Sequence, residues 1–398
     1  MHVAFVQPFG IGAPGGGARI LRALLKDAPV PWTSFCTHPE APPKIGFGHE
    51  EHIPKRPWFG RIERTRFGWV PGKLEPFFSR RFERKLKEGL RKCGATSVHL
   101  IPHGLDFVHG YKLARRLGLA VFFNVHDDVV ESFGNHPGGQ AALEAMPEIW
   151  SHADARFVIS DPMGREYNAR YGSRNFVVVT DGLERISEPR PRVPGKLRIY
   201  FMGLFHIRYE ANLAALLRAI ELVRSENPRI EISATFRCGS IRSSVIGGFR
   251  GMQVLPFGSE ADVEADMKSA DLLYMPLPFR EEDSDFVRFS LSTKMITYLG
   301  CGIPILYHGP REAAAHELLS ESNAAFISSS LEPESLAAVL REVIADPGNA
   351  GARVQGAMEL ATRRFMLEEQ RRRFWSTVQA SECGVRAAVG TKGGGSAA

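Results

Sequence analysis

Phe289-Ser-Leu-Ser-Thr-Lys-Met-Ile-Thr-Tyr-Leu-Gly-Cys-Gly-Ile-Pro304 decides how this chain is read. The apolar runs Asp271-Leu-Leu-Tyr-Met-Pro-Leu-Pro278 and Ile303-Pro-Ile-Leu-Tyr307 flank it, so strand, loop, short helix and strand follow in order. That order is one βαβ unit. Ser290, Ser292 and Thr293 offer hydroxyls where the N–H groups of a helix start lack partners, and Lys294 adds a positive charge. A diphosphate is the ligand such a place would hold.

Outward from this unit the same alternation fills the second half. Strands are expected at 197–203, 230–237, 252–257, 271–276 and 325–328, with helices at 210–226, 260–268, 333–345, 350–363 and 366–380. The first half repeats the theme. Strands near 2–7, 32–37, 97–102, 119–125, 155–159 and 176–180 alternate with helical patterns at 17–26, 108–117 and 161–171. Both halves therefore predict parallel sheets with crossover helices. Between them lies Ser187-Glu-Pro-Arg-Pro-Arg-Val-Pro-Gly195, which has linker composition. The expected domains are 1–188 and 189–365, then a helix at 366–385 returning toward the first domain and a disordered tail at 386–398.

A chain of 398 residues is long enough for about two cores, and 44% hydrophobic with 24% charged residues is an ordinary globular balance. The cysteines Cys36, Cys93, Cys238, Cys301 and Cys383 are scattered and form no Cys-x-x-Cys pair, which argues against a disulfide framework or zinc site. No secretory leader or apolar membrane span is read, so the expected setting is cytoplasmic. Net charge is +6, yet residues 55–92 alone hold 13 Lys/Arg against 4 Asp/Glu. The remainder is thus slightly acidic. The same segment carries Trp58, Phe59, Phe67, Trp69, Phe77, Phe78 and Phe82, with helical spacing from Glu75 to Lys92. Cations interleaved with aromatics suit anionic lipid headgroups at the inner face of a membrane. Nucleic acid is the competing partner and is not expected, and a solvated helix with inward aromatics is the plain alternative.

Three further constellations bear on chemistry. Gly10-Ile-Gly-Ala-Pro-Gly15-Gly16-Gly17 follows the first strand and leads into a helix containing Arg19. Such a loop lets backbone approach a ligand, and it also satisfies the dinucleotide-binding pattern G-x-G-x-x-G. Against that pattern, Pro14 sits inside it and no acid ends the second strand. Phe122-Phe-Asn-Val-His126-Asp127-Asp128 ends an apolar strand on an imidazole and two carboxylates, where open α/β sheets bind ligands. His126 is the candidate to bond a sugar hydroxyl or accept a proton, oriented by Asp127 or Asp128, while His103 ranks second for want of an adjacent carboxylate. Asp283-Ser-Asp285 has the form of a hard-cation string in a long loop, with a solvated acidic loop as the alternative. No metal is assigned.

Taken in order, these motifs resemble the GT-B fold glycosyltransferases, in particular the retaining family 4. The resemblance is carried by Gly15-Gly-Gly-Ala-Arg19, Val125-His-Asp127, Val158-Ile-Ser160, Val179-Thr-Asp-Gly-Leu183, Phe201-Met-Gly-Leu-Phe205 and Ser290 to Pro304. It implies two Rossmann-like domains facing across a cleft, the acceptor on the first and a nucleotide sugar on the second. It implies transfer of a hexosyl unit to an acceptor hydroxyl with retained configuration, without an obligatory cofactor, as in polysaccharide biosynthesis. The expected catalytic residues are His126 and Asp127, and the acceptor-side loop is Gly15, Gly16, Gly17 and Arg19. The expected diphosphate set is Gly203, Arg208, Arg237, Ser290, Ser292, Thr293, Lys294 and Thr297.

Two departures stand out. The family's pair of glutamates eight apart falls on Phe289 and Thr297, and its basic pair after the Gly203 turn is reduced to His206 and Arg208. The expected partners are a nucleotide sugar and a glycan or lipid-linked acceptor, with membrane contact through residues 55–92. The alternatives are a catalytically silent GT-B homologue acting as a binding or scaffold subunit, and an NAD-dependent epimerase or dehydrogenase.

Overall fold

The structure is a computed structural model that describes residues 1–55, 65, 69–134 and 139–393. Two compact units emerge, one formed by Met1–Asp181 with the chain from Leu367 onward, the other by Gly182–Met366. The division precedes the 188/189 junction read from composition. The proline-rich stretch belongs to the second unit because its backbone is bonded there: Leu183 N–H to Phe365 O at 2.8 Å, Ser187 N–H to Gly300 O at 2.8 Å and Arg190 N–H to Gly302 O at 3.2 Å.

In the first unit, β1 (Val3–Gln7), β2 (Trp32–Cys36), β3 (Glu50–His52), β4 (Ser97–Leu100), β5 (Ala120–Val125), β6 (Ala155–Val158) and β7 (Val177–Val178) form a parallel sheet. Their order is β3-β2-β1-β4-β5-β6-β7. Its helices are α1 (Gly16–Leu25), α2 (Trp69–Lys92), α3 (Asp106–Leu117), α4 (Val129–Phe133), α5 (Gly139–His152) and α6 (Asp161–Tyr171). Strand β3 is a departure from the sequence reading. Glu-Glu-His carries no apolar signal, and it pairs as an edge strand through backbone alone, Ser34 opposite Glu50.

The second unit begins with β8 (Lys196–Met202), α7 (Glu210–Glu226), β9 (Glu231–Arg237), α8 (Ser243–Ile246), β10 (Met252–Leu255), α9 (Glu260–Ser269) and β11 (Leu272–Pro276). It continues through α10 (Ser284–Phe289), α11 (Thr293–Leu299), β12 (Ile305–His308), α12 (Ala314–Glu321), β13 (Phe326–Ser328), α13 (Pro333–Ala345) and α14 (Pro347–Arg364). The sheet is parallel in the order β10-β9-β8-β11-β12-β13. Alternate residues of β8 explain why its sequence is apolar throughout. Leu197, Ile199 and Phe201 enter one core with Leu213, Leu216 and Ile220, while Tyr200 and Met202 enter the opposite core with Met295 and Tyr298.

The last helix, α15 (Leu367–Gly393), belongs to the first unit. It places Phe374 against Phe5, His99 and Phe157, and Trp375 donates its indole N–H to Leu24 O at 2.9 Å. It runs past 385, where the sequence reading ended it, and 394–398 of the expected tail lie outside the described residues. So do 56–64 and 66–68 of the basic segment. Among the described residues, no helix is long and apolar enough to cross a membrane. In each sheet the chain reverses direction of winding beside one strand, at β1/β4 and at β8/β11. The carboxyl ends of those strands are where an open parallel sheet leaves room for a ligand.

Candidate functional site

The second unit's site is built outward from the end of β8. Gly203 follows that strand with φ of 99°, in the left-handed region that favours glycine, and its N–H donates to Arg237 O at 3.0 Å. A Cβ placed there would lie 3.4 Å from Cε of Lys294, so the turn and the lysine stem are packed together. Lys294 stands in the first turn of α11, where its Nζ sits 3.8 Å from the Phe201 ring centroid and 5.7 Å from that of Tyr209. Burial pushes the ammonium down to about 7, with the Cys238 thiol opposing the shift. Aromatic faces attract the charge without neutralising it, which leaves this cation able to take an anion.

The two candidate arginines are engaged differently. Arg208, in the single turn Ile207–Tyr209, pairs through Nε with the buried Asp283 at 3.0 Å and lies over Phe286. Arg237, at the end of β9, pairs with Asp266 and donates to Pro256 O at 3.2 Å. Both are braced against carboxylates of their own unit. Asp283 is thereby accounted for as an ion-pair partner rather than as part of a cation-binding string. Among the described residues, no cluster of three His, Cys, Asp or Glu could hold a metal ion.

The hydroxyls do not all cap one helix start, as the sequence reading has them. Ser290 ends α10, its Oγ buried and unbonded, whereas Ser292 caps α11 by accepting the Lys294 N–H at 3.2 Å. Thr293 opens α11, and Thr297 Oγ1 donates back to Thr293 O at 3.2 Å. With seven residues, α11 contributes little dipole, so positive charge at this place rests mainly on Lys294. Phe289 is buried beneath Arg288. The two positions where the resembling family carries acids are therefore a core ring and a hydroxyl bonded within its helix.

In the first unit, the glycine loop, β4 and β5 converge at their carboxyl ends. Gly17 is the close approach: a Cβ there would lie 3.0 Å from Phe9 and 3.4 Å from Nδ1 of His126. Gly10 and Gly12 serve another purpose, since added carbons would strike Pro42 Cβ at 2.1 Å and Pro43 O at 2.8 Å. The protein's own 42–45 segment therefore packs directly against Gly10 and Gly12. Arg19, one turn into α1, pairs with Asp181 at 2.7 Å. Asp181 is buried, and desolvation raises its carboxyl to about 6 although Arg19 acts in the other direction.

His126 is 3% exposed and neither ring nitrogen has a hydrogen-bond partner. Neither neighbouring carboxylate orients it, contrary to expectation. Asp127 points to His103, with Oδ2 3.6 Å from Nε2, and Asp128 caps α4 and pairs with Arg170 at 2.8 Å. The reason lies in strand geometry, because consecutive residues at a strand end point to different sides. His103 packs edge-on against both Phe9 and His126, each 5.4 Å between centroids. Desolvation lowers both imidazoles, that of His126 strongly, so both are neutral near pH 7. The carboxylate that the sequence around His103 lacks is thus supplied by Asp127, from the end of another strand.

No protein-family model matches the chain, and no curated protein matches it in sequence. Solved structures do. Sucrose-phosphate synthase from Thermosynechococcus elongatus aligns with a TM-score of 0.68 at 14% identity, covering 98% of this chain and 99% of that one. An α,α-trehalose-phosphate synthase (UDP-forming) from Burkholderia xenovorans, in complex with glucose-6-phosphate, aligns at 0.66 and 12% identity over 95% and 99%. HepE from Anabaena, in complex with UDP, aligns at 0.64 and 14% identity over 96% and 100%.

The fold is GT-B. At these identities the likeness is one of architecture, two parallel-sheet α/β domains of seven and six strands. Within this GT-B chain, tertiary structure adds Phe201 and Tyr209 around Lys294, sets the second-ranked His103 against His126, and pairs Asp181 with Arg19. Phe201 had a legible signal, since it stands two residues before the Gly203 turn. Asp181 had none, as nothing local connects it to Arg19.

Proposed function

We propose that this chain moves a glycosyl unit from a nucleoside diphosphate sugar to an acceptor hydroxyl, with the donor on the second unit and the acceptor on the first. The observation that supports it best is Lys294, a half-buried cation held by aromatic rings beside the Gly203 turn. In the reaction the bond from the anomeric carbon to the β-phosphate oxygen breaks, and a bond to the acceptor oxygen forms. The acceptor hydroxyl's proton passes to the departing β-phosphate oxygen, and the nucleoside diphosphate leaves. Lys294 would offset the charge developing on the leaving phosphate, an electrostatic contribution, with Ser290 Oγ, Thr293 and the Gly203 turn nearby. Neutral His126 would bond a sugar hydroxyl rather than act as a cationic acid. Retention of configuration, a hexosyl donor and a role in envelope or other polysaccharide synthesis are part of this reading.

Replacing Lys294 with Met keeps the stem over Phe201 and removes the charge. UDP or GDP affinity, measured by calorimetry, is expected to fall about 10- to 100-fold, the worth of a charge-assisted bond. Unchanged affinity for whichever nucleotide binds would end the assignment.

A second reading, a catalytically silent GT-B homologue, is favoured by one observation: Phe289 is in the core and Thr297 is bonded to Thr293 O at 3.2 Å. If neither nucleotide binds the native chain, that reading replaces the first.

Attachment to the inner face of an anionic membrane also belongs to the proposal. Helix α2 exposes Leu74 and Phe77 along with Arg80, Arg81, Arg84, Arg91 and Lys92. Such a mixed face suits headgroups and the boundary beneath them, and a lipid-linked acceptor would be met there. Co-sedimentation with phosphatidylglycerol vesicles that disappears with salt is the expected result. Equal sedimentation with phosphatidylcholine would contradict it.

A further inference from the structure

One cation of the second unit is held by a carboxylate that is itself incompletely satisfied. Arg208, in the turn Ile207–Tyr209, bonds through Nε to Oδ1 of Asp283 at 3.0 Å. Asp283 closes the turn Glu281–Asp283, in the loop between β11 and α10, and is 2% exposed. Tyr209 follows Arg208 directly, and its ring lies 5.7 Å from Nζ of Lys294. Burial raises the Tyr209 phenol, Arg208 opposes the rise and Asp283 adds to it, so both charges are felt beside Lys294. An anion drawn to Lys294 thus arrives next to an arginine already committed to a carboxylate. The other oxygen of that carboxylate, Oδ2, is buried and has no hydrogen-bond partner among the described residues. Half of Asp283 is therefore desolvated without compensation. A second guanidinium stands close to that oxygen. Nε of Arg280 is 3.9 Å from Oδ2, beyond hydrogen-bond distance, and the exposed Arg280 pairs instead with the exposed Glu282.

We infer that Asp283 masks Arg208 in the free chain, and that a diphosphate takes Arg208 from it while Arg280 moves onto the vacated carboxylate. This rests on the proposed donor site of the second unit and adds how that site is regulated. Without a replacement cation the exchange would leave a buried, uncompensated charge, which is strongly unfavourable. With Arg280 the pairing is conserved. Phosphate then holds Arg208, Asp283 holds Arg280, and Glu282 returns to water, where an exposed ion pair is worth little. Arg280 is in this sense a positioning residue, since it touches the carboxylate and not the ligand. The exchange also acts on the segment that leads through α10 into α11, the one that carries Ser290, Ser292 and Lys294.

The test is calorimetric titration of the full chain with UDP, GDP and inorganic pyrophosphate, the last reading charge without a nucleoside. Asp283→Asn keeps the side chain's size and removes the charge that holds Arg208, so it should bind the diphosphate about tenfold more tightly than the native chain. Mere damage to the fold would act in the opposite direction. Arg280→Gln should weaken the same ligand about tenfold, and that loss should vanish when Asp283→Asn is also present. Arg280→Lys restores the charge and should recover affinity, which keeps the test independent of how well Asp283→Asn folds. Unchanged affinity in Arg280→Gln, no recovery in Arg280→Lys, or a loss that persists in the double variant, as for an arginine that contacts the ligand itself, overturns the inference. So does a folded Asp283→Asn that binds no more tightly. Failure of the donor reading looks different: pyrophosphate then follows this pattern while neither nucleotide binds. If no anion binds the native chain or Asp283→Asn, the mask is refuted together with the donor site.

Discussion

Lys294 and Asp181 are two titrating groups whose settings have measurable consequences. Lys294 is lowered to about 7 by burial, so in the free protein its positive charge is lost as pH rises through that value. An anion binds the protonated form. Affinity for a nucleoside diphosphate should therefore weaken as pH goes from 7 to 9, by up to about tenfold per unit, with proton uptake on binding. Calorimetry in buffers of different ionisation enthalpy reads that uptake, and Lys294→Met should abolish it. Asp181 has the opposite sign of linkage from an ordinary paired carboxylate. Its folded value of about 6 lies above the unfolded one, so the native state holds more protons between pH 4 and 6 and stability falls as pH rises through that window. Asp181→Asn should flatten this slope in denaturant titrations of the full chain. Lys294 was legible in the sequence because a helix start and its charge are local. The pairings of His103 with Asp127 and of Asp181 with Arg19 were not, because those partners arrive from other strands and helices.

At the scale of elements, α15 shows how a terminal helix is fixed. Phe374 is fully buried against Phe5, His99 and Phe157, and Arg371 donates to Ala23 O at 2.7 Å. Phe374→Ala should destabilise the first unit by about 3–5 kcal/mol, the usual effect of emptying an aromatic core position. Thermal unfolding should show this in the transition of that unit, and a shift below 1 kcal/mol would mean the helix is not anchored there. A helix over 366–380 was readable in the sequence. Strand β3 was not, since a polar edge strand is specified by its neighbour's free backbone and not by its own side chains. The pair α10 and α11 was read as one helix start because serine and threonine favour caps wherever they stand. Which of them caps depends on where the chain turns, and here it turns between Ser290 and Ser292.

For the molecule as a whole, two parallel sheets with separate cores imply two stability domains. A nucleotide that binds the native second unit should raise its unfolding temperature in proportion to the logarithm of concentration. Differential scanning calorimetry of native chain and Lys294→Met with UDP and GDP would separate a bound donor from general stabilisation. The alternation of apolar runs and helical patterns was enough to give this two-unit α/β architecture from sequence, because strands buried on both faces must be apolar throughout. Residue identity along the chain likewise determined the glycine loop, the charged helix start and the imidazole at the end of β5. Only the tertiary structure decided which polar groups are left for a ligand. It bound Arg208, Arg237 and Arg19 to carboxylates distant in sequence, and left Lys294 among aromatic rings and His126 without a partner. The physical reason is that an ion pair or a buried orphan is a relation between strands, and no local pattern encodes the distance that makes it.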